Sequence, residues 1–304
     1  MRKPVDCRVW RNLTVDCGYV MAWKQRFNLP TSGRLVLAVL AAYANGDDHH
    51  GEMRVQFQFH DQTIKVNMPT RSALEAEIEH RFDQQQGFAL ATVNLDHLVK
   101  MSDSQAFLEA YAQQDLVVAD GRPIVWLSRL AGHKVELMPG SDMVVPLCEM
   151  AAKANVPVAL VGSTQVALDD AADILQTQIS GLQISLRQAP SGVFDPTGDE
   201  AALILQQLKD QGIGLCFLAL GAPKQELFAA RGRELAPRVG FASIGAGLDF
   251  LGGHQHRAPL WMRKLALEWL WRALSSPARM VPRYAQCIAI LPRQVKLALQ
   301  QRNT

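Results

Sequence analysis

FLALGAPKQELF, residues 217–228, is an apolar run that stops at a small-residue turn, Leu220-Gly221-Ala222-Pro223, and then presents Lys224, Gln225 and Glu226 together. It reads as a buried strand, a tight turn and the first turn of a helix. Working outward, the same unit recurs from about residue 87. Strands are expected at Phe88–Val93, Leu116–Ala119, Val156–Val161, Gln183–Arg187, Leu215–Leu220 and Gly240–Ile244. Helical stretches lie between them near 104–114, 122–132, 141–154, 165–180, 199–211 and 224–235. Strands rich in Val, Ile, Leu and Ala that alternate with helices imply a mostly parallel sheet covered on both faces. The fold class is therefore α/β, a doubly wound Rossmann-like sheet with right-handed crossovers. In such sheets ligands sit beyond the carboxyl ends of the strands.

The flanks divide the 304 residues further. Residues 1–52 form an N-terminal extension without clear alternation, to which no role is assigned. The α/β domain is placed at 53–250, opening with a strand pair (Arg54–His60, Thr63–Val66) and a helix (Arg71–Phe82). Residues 251–304 form a basic, Trp-rich C-terminal appendage. Apolar residues make up 48% and charged residues 20%, ordinary for a chain that buries a core. The five scattered cysteines contain no Cys-x-x-Cys pair and fit reduced thiols in a cytosolic setting. The start lacks a signal-peptide pattern. The early apolar run Leu35–Ala44 is about half of the roughly 20 residues a membrane span needs. His49-His50 beside Asp47 and Asp48 reads as an exposed turn rather than a metal site, since no spaced ligands accompany it. Residues 257–304 hold nine Lys or Arg against one acid, a local charge of +8, while the rest of the chain carries −6. A basic tail on an acidic body suits an anionic partner.

Small residues and a polar group follow nearly every strand. Thr92 and Asn94 follow the first, Asp120-Gly121-Arg122 the second, Gly162-Ser163-Thr164 the third, Gly221 to Glu226 the fifth, and Gly245-Ala246-Gly247 the sixth. Each alone is ordinary turn or N-cap chemistry. Together on one edge they suggest a ligand cleft whose helix N-termini suit phosphate. Asp120 closes the apolar run LVVAD and, taken alone, reads equally as a general base or a helix cap. Asp142 and Asp249 read as a cap and a turn. Lys224 opposes the helix dipole, which indicates a nearby anion or plain exposure, and Gln225 can both donate and accept. No dinucleotide glycine fingerprint, P-loop or Gly-x-Ser-x-Gly elbow occurs. In 260–274, LWMRKLALEWLWRAL, Lys264, Glu268 and Arg272 recur every four residues among Trp and Leu. That pattern reads equally as an interfacial membrane helix or as a buried packing helix.

Taken together, TVNLDHLV (92–99), ADGRPIVWLSRLAG (119–132), PGSDM (139–143), FLALGAPKQE (217–226), IGAGLDFLGGHQHRAP (244–259), LEWLWR (267–272) and PARMVPRY (277–284) resemble the bacterial WecG/TagA/CpsF glycosyltransferase family over about residues 60–290. The resemblance implies an inverting, metal-independent hexosyltransferase of the GT-E type with no cofactor. It would move a hexose or N-acetylhexosamine from a UDP-sugar to a polyprenyl-diphosphate-linked sugar in surface polysaccharide synthesis. It implies Asp120 as the base, Thr92 and Asn94 in the catalytic and acceptor pocket, and Gln225 at the sugar, with Gly162, Gly221 and Gly245 lining the substrate cleft. Arg257, Arg272, Arg279 and Arg283 would hold diphosphate. The appendage would touch the inner face of the cytoplasmic membrane, making the protein cytoplasmic and peripherally associated. A homo-oligomer is compatible with this reading, and no nucleic-acid partner is expected. Leu137 stands where many members carry Arg, and residues 1–52 exceed the family pattern. The alternatives are a nucleotide-binding oxidoreductase on the same sheet type, which lacks its glycine fingerprint, and a membrane- or nucleic-acid-binding protein using the basic tail. The tail's tryptophans lie on an apolar helix rather than forming a stacking platform in a basic groove.

Overall fold

The computed structural model describes residues 55–59, 62–255, 258–259, 262 and 267–302. The extension 1–52, with its His49-His50 pair, lies outside the described residues, as do Arg54, His60, Arg257, Trp261, Arg263 and Lys264. A two-stranded antiparallel hairpin, β1 (Gln56–Phe59) and β2 (Gln62–Lys65), leads into helix α1 (Arg71–Asp83). Six parallel strands follow: β3 (Phe88–Val93), β4 (Leu116–Ala119), β5 (Val158–Gly162), β6 (Ile184–Gln188), β7 (Leu215–Ala219) and β8 (Gly240–Ser243). Their spatial order is β4-β3-β8-β7-β5-β6, so β8 returns to pair between β3 and β7. The winding direction reverses around β3, β8 and β7, and their carboxyl ends open the crevice that such a reversal creates.

Alternate strand residues feed the two faces. Phe88, Leu90, Leu160, Leu215 and Phe217 point to a core shared with α1, α5 (Gly140–Lys153) and α6 (Gln165–Gln178). Ala89, Ala159, Val161, Cys216, Leu218 and Phe241 point to the other, shared with α7 (Asp199–Asp210) and α8 (Lys224–Leu235). Nearly every residue of β3, β4, β5, β7 and β8 is buried, which is why the strands read as unbroken apolar runs. Gly162 belongs to this packing, because a Cβ there would lie 2.4 Å from the backbone of Ala219 on β7.

The structure differs from the expectation in three places. Strand β5 starts at Val158, not Val156, because Pro157 has no N–H to give a ladder. The stretch after β3 is a helix, α2 (Leu95–Asp103), capped by Asn94 and running into α3 (Gln105–Ala112). After the short α9 (Gly247–Leu251) the appendage contains two described helices, α10 (Glu268–Ser275) and the 25-residue α11 (Pro277–Gln301), separated at Ser276. Ser276-Pro277 is a helix-start pair, with proline at the first helical position. Helix α11 packs on α2 and on α4 (Arg122–Leu130). At its far end Gln301 accepts the Gln56 N–H (3.3 Å) and donates to the Gln56 carbonyl (2.6 Å), closing an edge of the hairpin.

Candidate active site

Asp120 sits one residue beyond β4, where its backbone N–H continues the ladder to the Val93 carbonyl at 2.8 Å. That bond fixes the carboxylate at the sheet edge beside Asn94, the first residue after β3. Asn94 works in two directions. Its Oδ1 accepts the His97 N–H at 3.1 Å and so caps α2, while its Nδ2 donates to Asp120 Oδ2 at 3.3 Å. Burial raises the Asp120 pKa to about 6, against the Asn94 bond and the Arg272 charge, with Glu268 and Asp142 adding like-charge repulsion. Helix α10 therefore approaches the carboxylate, and Arg272 and Glu268 pair with each other there at 2.7 Å. Asp142, in the first turn of α5, contributes from a third side. The helix start that should carry Asp120 as a cap is instead capped at Gly121, whose φ of 93° favours glycine. Asp120 makes no side-chain cap bond to α4. The cap alternative is thereby removed.

Thr92 is buried in β3, paired with Val118, and lies directly before this site. Below it His97 stacks among Phe107 and Tyr111, with centroids 6.1 and 5.9 Å away. Burial drives the His97 pKa down to about 4, so the ring is neutral near pH 7.

Across the crevice, Gln225 and Glu226 open α8. Gln225 is only 3% exposed. Its Oε1 accepts the Gly245 N–H at 3.2 Å and its Nε2 donates to Glu226 Oε1 at 2.9 Å. The amide thus ties the β7 edge to the β8 edge and keeps one N–H uncommitted. Glu226 is fully buried, its pKa is raised by burial to about 7, and its second oxygen has no partner. Gly221 and Gly245 have φ of 72° and 58°, and open space surrounds the place where each Cβ would project. Their backbones line the crevice without competition from side chains.

The sequence-predicted residues therefore separate into groups. Thr92, Asn94 and Asp120 come together, joined by the Arg272–Glu268 pair. Gln225, Gly221 and Gly245 form the β7–β8 edge, and Gly162 lies within sheet packing. Arg279 is exposed on α11. Arg283 is engaged by Asp96: Nε lies 2.6 Å from Oδ1 and Nη2 2.7 Å from Oδ2. Asp96 and Lys100 are not among the residues the sequence singles out; their only local signal is helical i,i+4 spacing. Leu137 is exposed. Among the described residues no group of three or more His, Cys, Asp or Glu is placed to hold a metal ion. No described helix is long and apolar enough to cross a membrane.

The model of the glycosyl transferase WecG/TagA/CpsF family matches residues 61–304. A Bacillus subtilis (strain 168) protein, N-acetylglucosaminyldiphosphoundecaprenol N-acetyl-beta-D-mannosaminyltransferase, is 25% identical over 226 residues, which cover 72% of this chain and 86% of that protein.

Proposed function

The chain belongs to the glycosyl transferase WecG/TagA/CpsF family, and from that premise we propose that it moves an N-acetylhexosamine or hexose from a UDP-sugar to a sugar on a polyprenyl diphosphate, with inversion. The observation that carries the mechanism is Asp120, a carboxylate held at the switch-point edge with its pKa raised to about 6. Above that pH it is ionised and takes the proton of the acceptor hydroxyl. The hydroxyl oxygen then attacks the anomeric carbon as the bond to the UDP oxygen breaks, and the UDP leaves with the electron pair. Asn94 orients the base, and Thr92 lines the acceptor side. Gln225 offers its free N–H to the sugar, and the Gly221 and Gly245 edges admit the donor backbone-close. Charge on departing UDP needs a counterpart. Arg272 and the exposed Arg279 supply it in this reading, since guanidinium groups pair phosphate oxygens two at a time; Arg257 would join them. No resident metal or other cofactor is invoked.

The appendage supports peripheral attachment to a lipid surface. Val281, Ile288 and Leu299 are exposed on α11 at spacings of 7 and 11 residues, which is one helical face, and Trp269 and Leu274 are exposed on α10. Arg279, Arg293 and Lys296 are exposed on α11 as well. Apolar anchors with Lys296 about 60° and Arg293 about 120° round the helix from them suit the headgroup boundary, where each basic residue contributes about 1 kcal/mol on an anionic leaflet. A cytoplasmic membrane face is where a lipid-linked acceptor and a soluble nucleotide sugar meet.

Asp120→Asn tests the base. The variant is expected to lose at least about a hundredfold in turnover while binding UDP with wild-type affinity by calorimetry. Turnover near wild type would remove Asp120 from the role.

A further inference from the structure

We propose that Arg283 is a positioning residue: its ion pair with Asp96 docks α11 on α2 and thereby sets the hydrogen bond from Asn94 to Asp120. The proposal rests on the reading of Asp120 as the base and assigns Arg283 away from substrate diphosphate.

The geometry is a chain of contacts with no slack residue in it. Arg283 meets Asp96 through both carboxylate oxygens, at 2.6 and 2.7 Å. This side-on fork defines direction as well as distance. Asp96 is 8% exposed and occupies the first turn of α2. Its second cation, Lys100, lies 2.9 Å from Oδ2 and donates at 2.9 Å to the Ala222 carbonyl in the turn before Gln225. Although burial pushes the Asp96 carboxyl up, Lys100 and Arg283 together hold it below the ordinary range, so it stays ionised near pH 7.

Asp96 thus joins three pieces that the chain keeps far apart: α11, the first turn of α2 and the β7 edge. Two residues before Asp96 lies Asn94, whose Oδ1 is fixed on the same turn through His97 N–H. Where that turn goes, the Asn94 Nδ2 goes, and with it the only side-chain hydrogen bond described for Asp120. Arg283 lies in the second turn of α11, the helix that follows α10, and α10 brings Arg272 and Glu268 within electrostatic reach of Asp120. Releasing Arg283 from Asp96 would therefore disturb the base from two directions. For Arg283 to hold a diphosphate it would have to surrender this fork, leaving a mostly buried carboxylate with Lys100 alone, and breaking such pairs is costly.

A double-mutant cycle on the full chain separates the two roles. Arg283→Met, Asp96→Asn and the double variant are assayed for transfer with a UDP-N-acetylhexosamine and a short-chain polyprenyl-diphosphate sugar. Hydrogen exchange of residues 280–290 is followed without substrate. We expect each single variant to lower kcat by about tenfold or more with acceptor KM within about threefold. The double variant should be no worse than the poorer single one. Exchange across 280–290 should accelerate in all three, while the end held by Gln301 stays protected. Multiplicative losses, or an acceptor KM raised about tenfold at unchanged kcat, would place Arg283 on substrate and overturn the proposal. Unchanged exchange in both single variants would overturn it whatever the kinetics. Should Arg283→Met fail to fold, Arg283→Lys gives the same reading, with partial loss of kcat expected because a single-point ammonium replaces the fork. Asp120→Asn in parallel isolates the premise: normal transfer by that variant rejects the base, while the exchange data still judge the latch.

Discussion

Asp120 and Glu226 face each other in role across the crevice, and burial shifts both toward the protonated form. For Asp120 the unfolded carboxyl ionises near 3.8 and the folded one near 6. Folding therefore takes up a proton between those values, and stability from this group falls as pH rises through that window and stays low above it. Asp120→Asn removes the penalty. Its melting temperature should exceed wild type at pH 7.5, by the equivalent of about 3 kcal/mol, and the advantage should shrink toward pH 4; calorimetry at the two pH values checks this. The same titration governs rate: kcat/KM should fall about tenfold per pH unit below 6. Glu226 offers Oε1 to Gln225. Glu226→Gln keeps that acceptor and should retain stability and most activity. Glu226→Leu strands the Gln225 donor in a buried place, for a loss of about 1–3 kcal/mol, read by thermal unfolding, with transfer falling alongside. At this scale Asp120 is marked in the sequence by LVVAD, but a carboxylate after a strand is equally a cap until the neighbouring backbone is seen. Gln225 reads as a polar side chain, able to donate and accept, just after a buried strand. Its attachment to Gly245 depends on β8 lying beside β7, which no local pattern states.

Helix α2 carries the clearest lesson about elements. Its N-cap, Asn94, and its first-turn Asp96 are ordinary helix-start chemistry, yet TVNLDHLV follows a strand so directly that the helical signal is masked by the strand ending. Asn94→Ala should cost about 1 kcal/mol as a lost cap and reduce kcat more than that stability change explains, because the same side chain bonds Asp120; unfolding and turnover measured on one preparation test the split. The strands themselves were legible because both faces are covered, which makes each a short run of Val, Ile, Leu, Ala and Phe. Within the appendage, the four-residue recurrence of Lys264, Glu268 and Arg272 points to a helix over 260–274, part of which is α10, but does not mark the break at Ser276. The pairing of Arg283 with Asp96 cannot be read locally, since 187 residues separate them.

For the described residues, the six-stranded parallel sheet and the order in which the chain visits it place all six strand ends on one edge, and the appendage helices return to that edge. The direction of the crossovers follows from general rules, whereas the insertion of β8 between β3 and β7 is a fact of tertiary structure. A lipid-surface role for α10 and α11 predicts that Leu274→Glu with Ile288→Glu in the full chain abolishes flotation on vesicles containing anionic lipid. Wild-type binding should weaken steeply between low and physiological salt, where screening shortens to roughly 8 Å. Equal flotation of variant and wild type would remove the appendage as the membrane contact. Transfer to a water-soluble short-chain acceptor should persist in that variant, because the site at the sheet edge does not depend on the exposed stripe.

The reaction itself decides whether this chain is such a transferase. The full chain is incubated with UDP-N-acetylmannosamine and a short-chain polyprenyl-diphosphate N-acetylglucosamine, and the lipid product is followed by mass and by the anomeric proton. A lipid one N-acetylhexosamine heavier, with inverted anomeric configuration, is expected from wild type and not from Asp120→Asn. Release of UDP without a heavier lipid, or a product with retained configuration, would contradict that expectation.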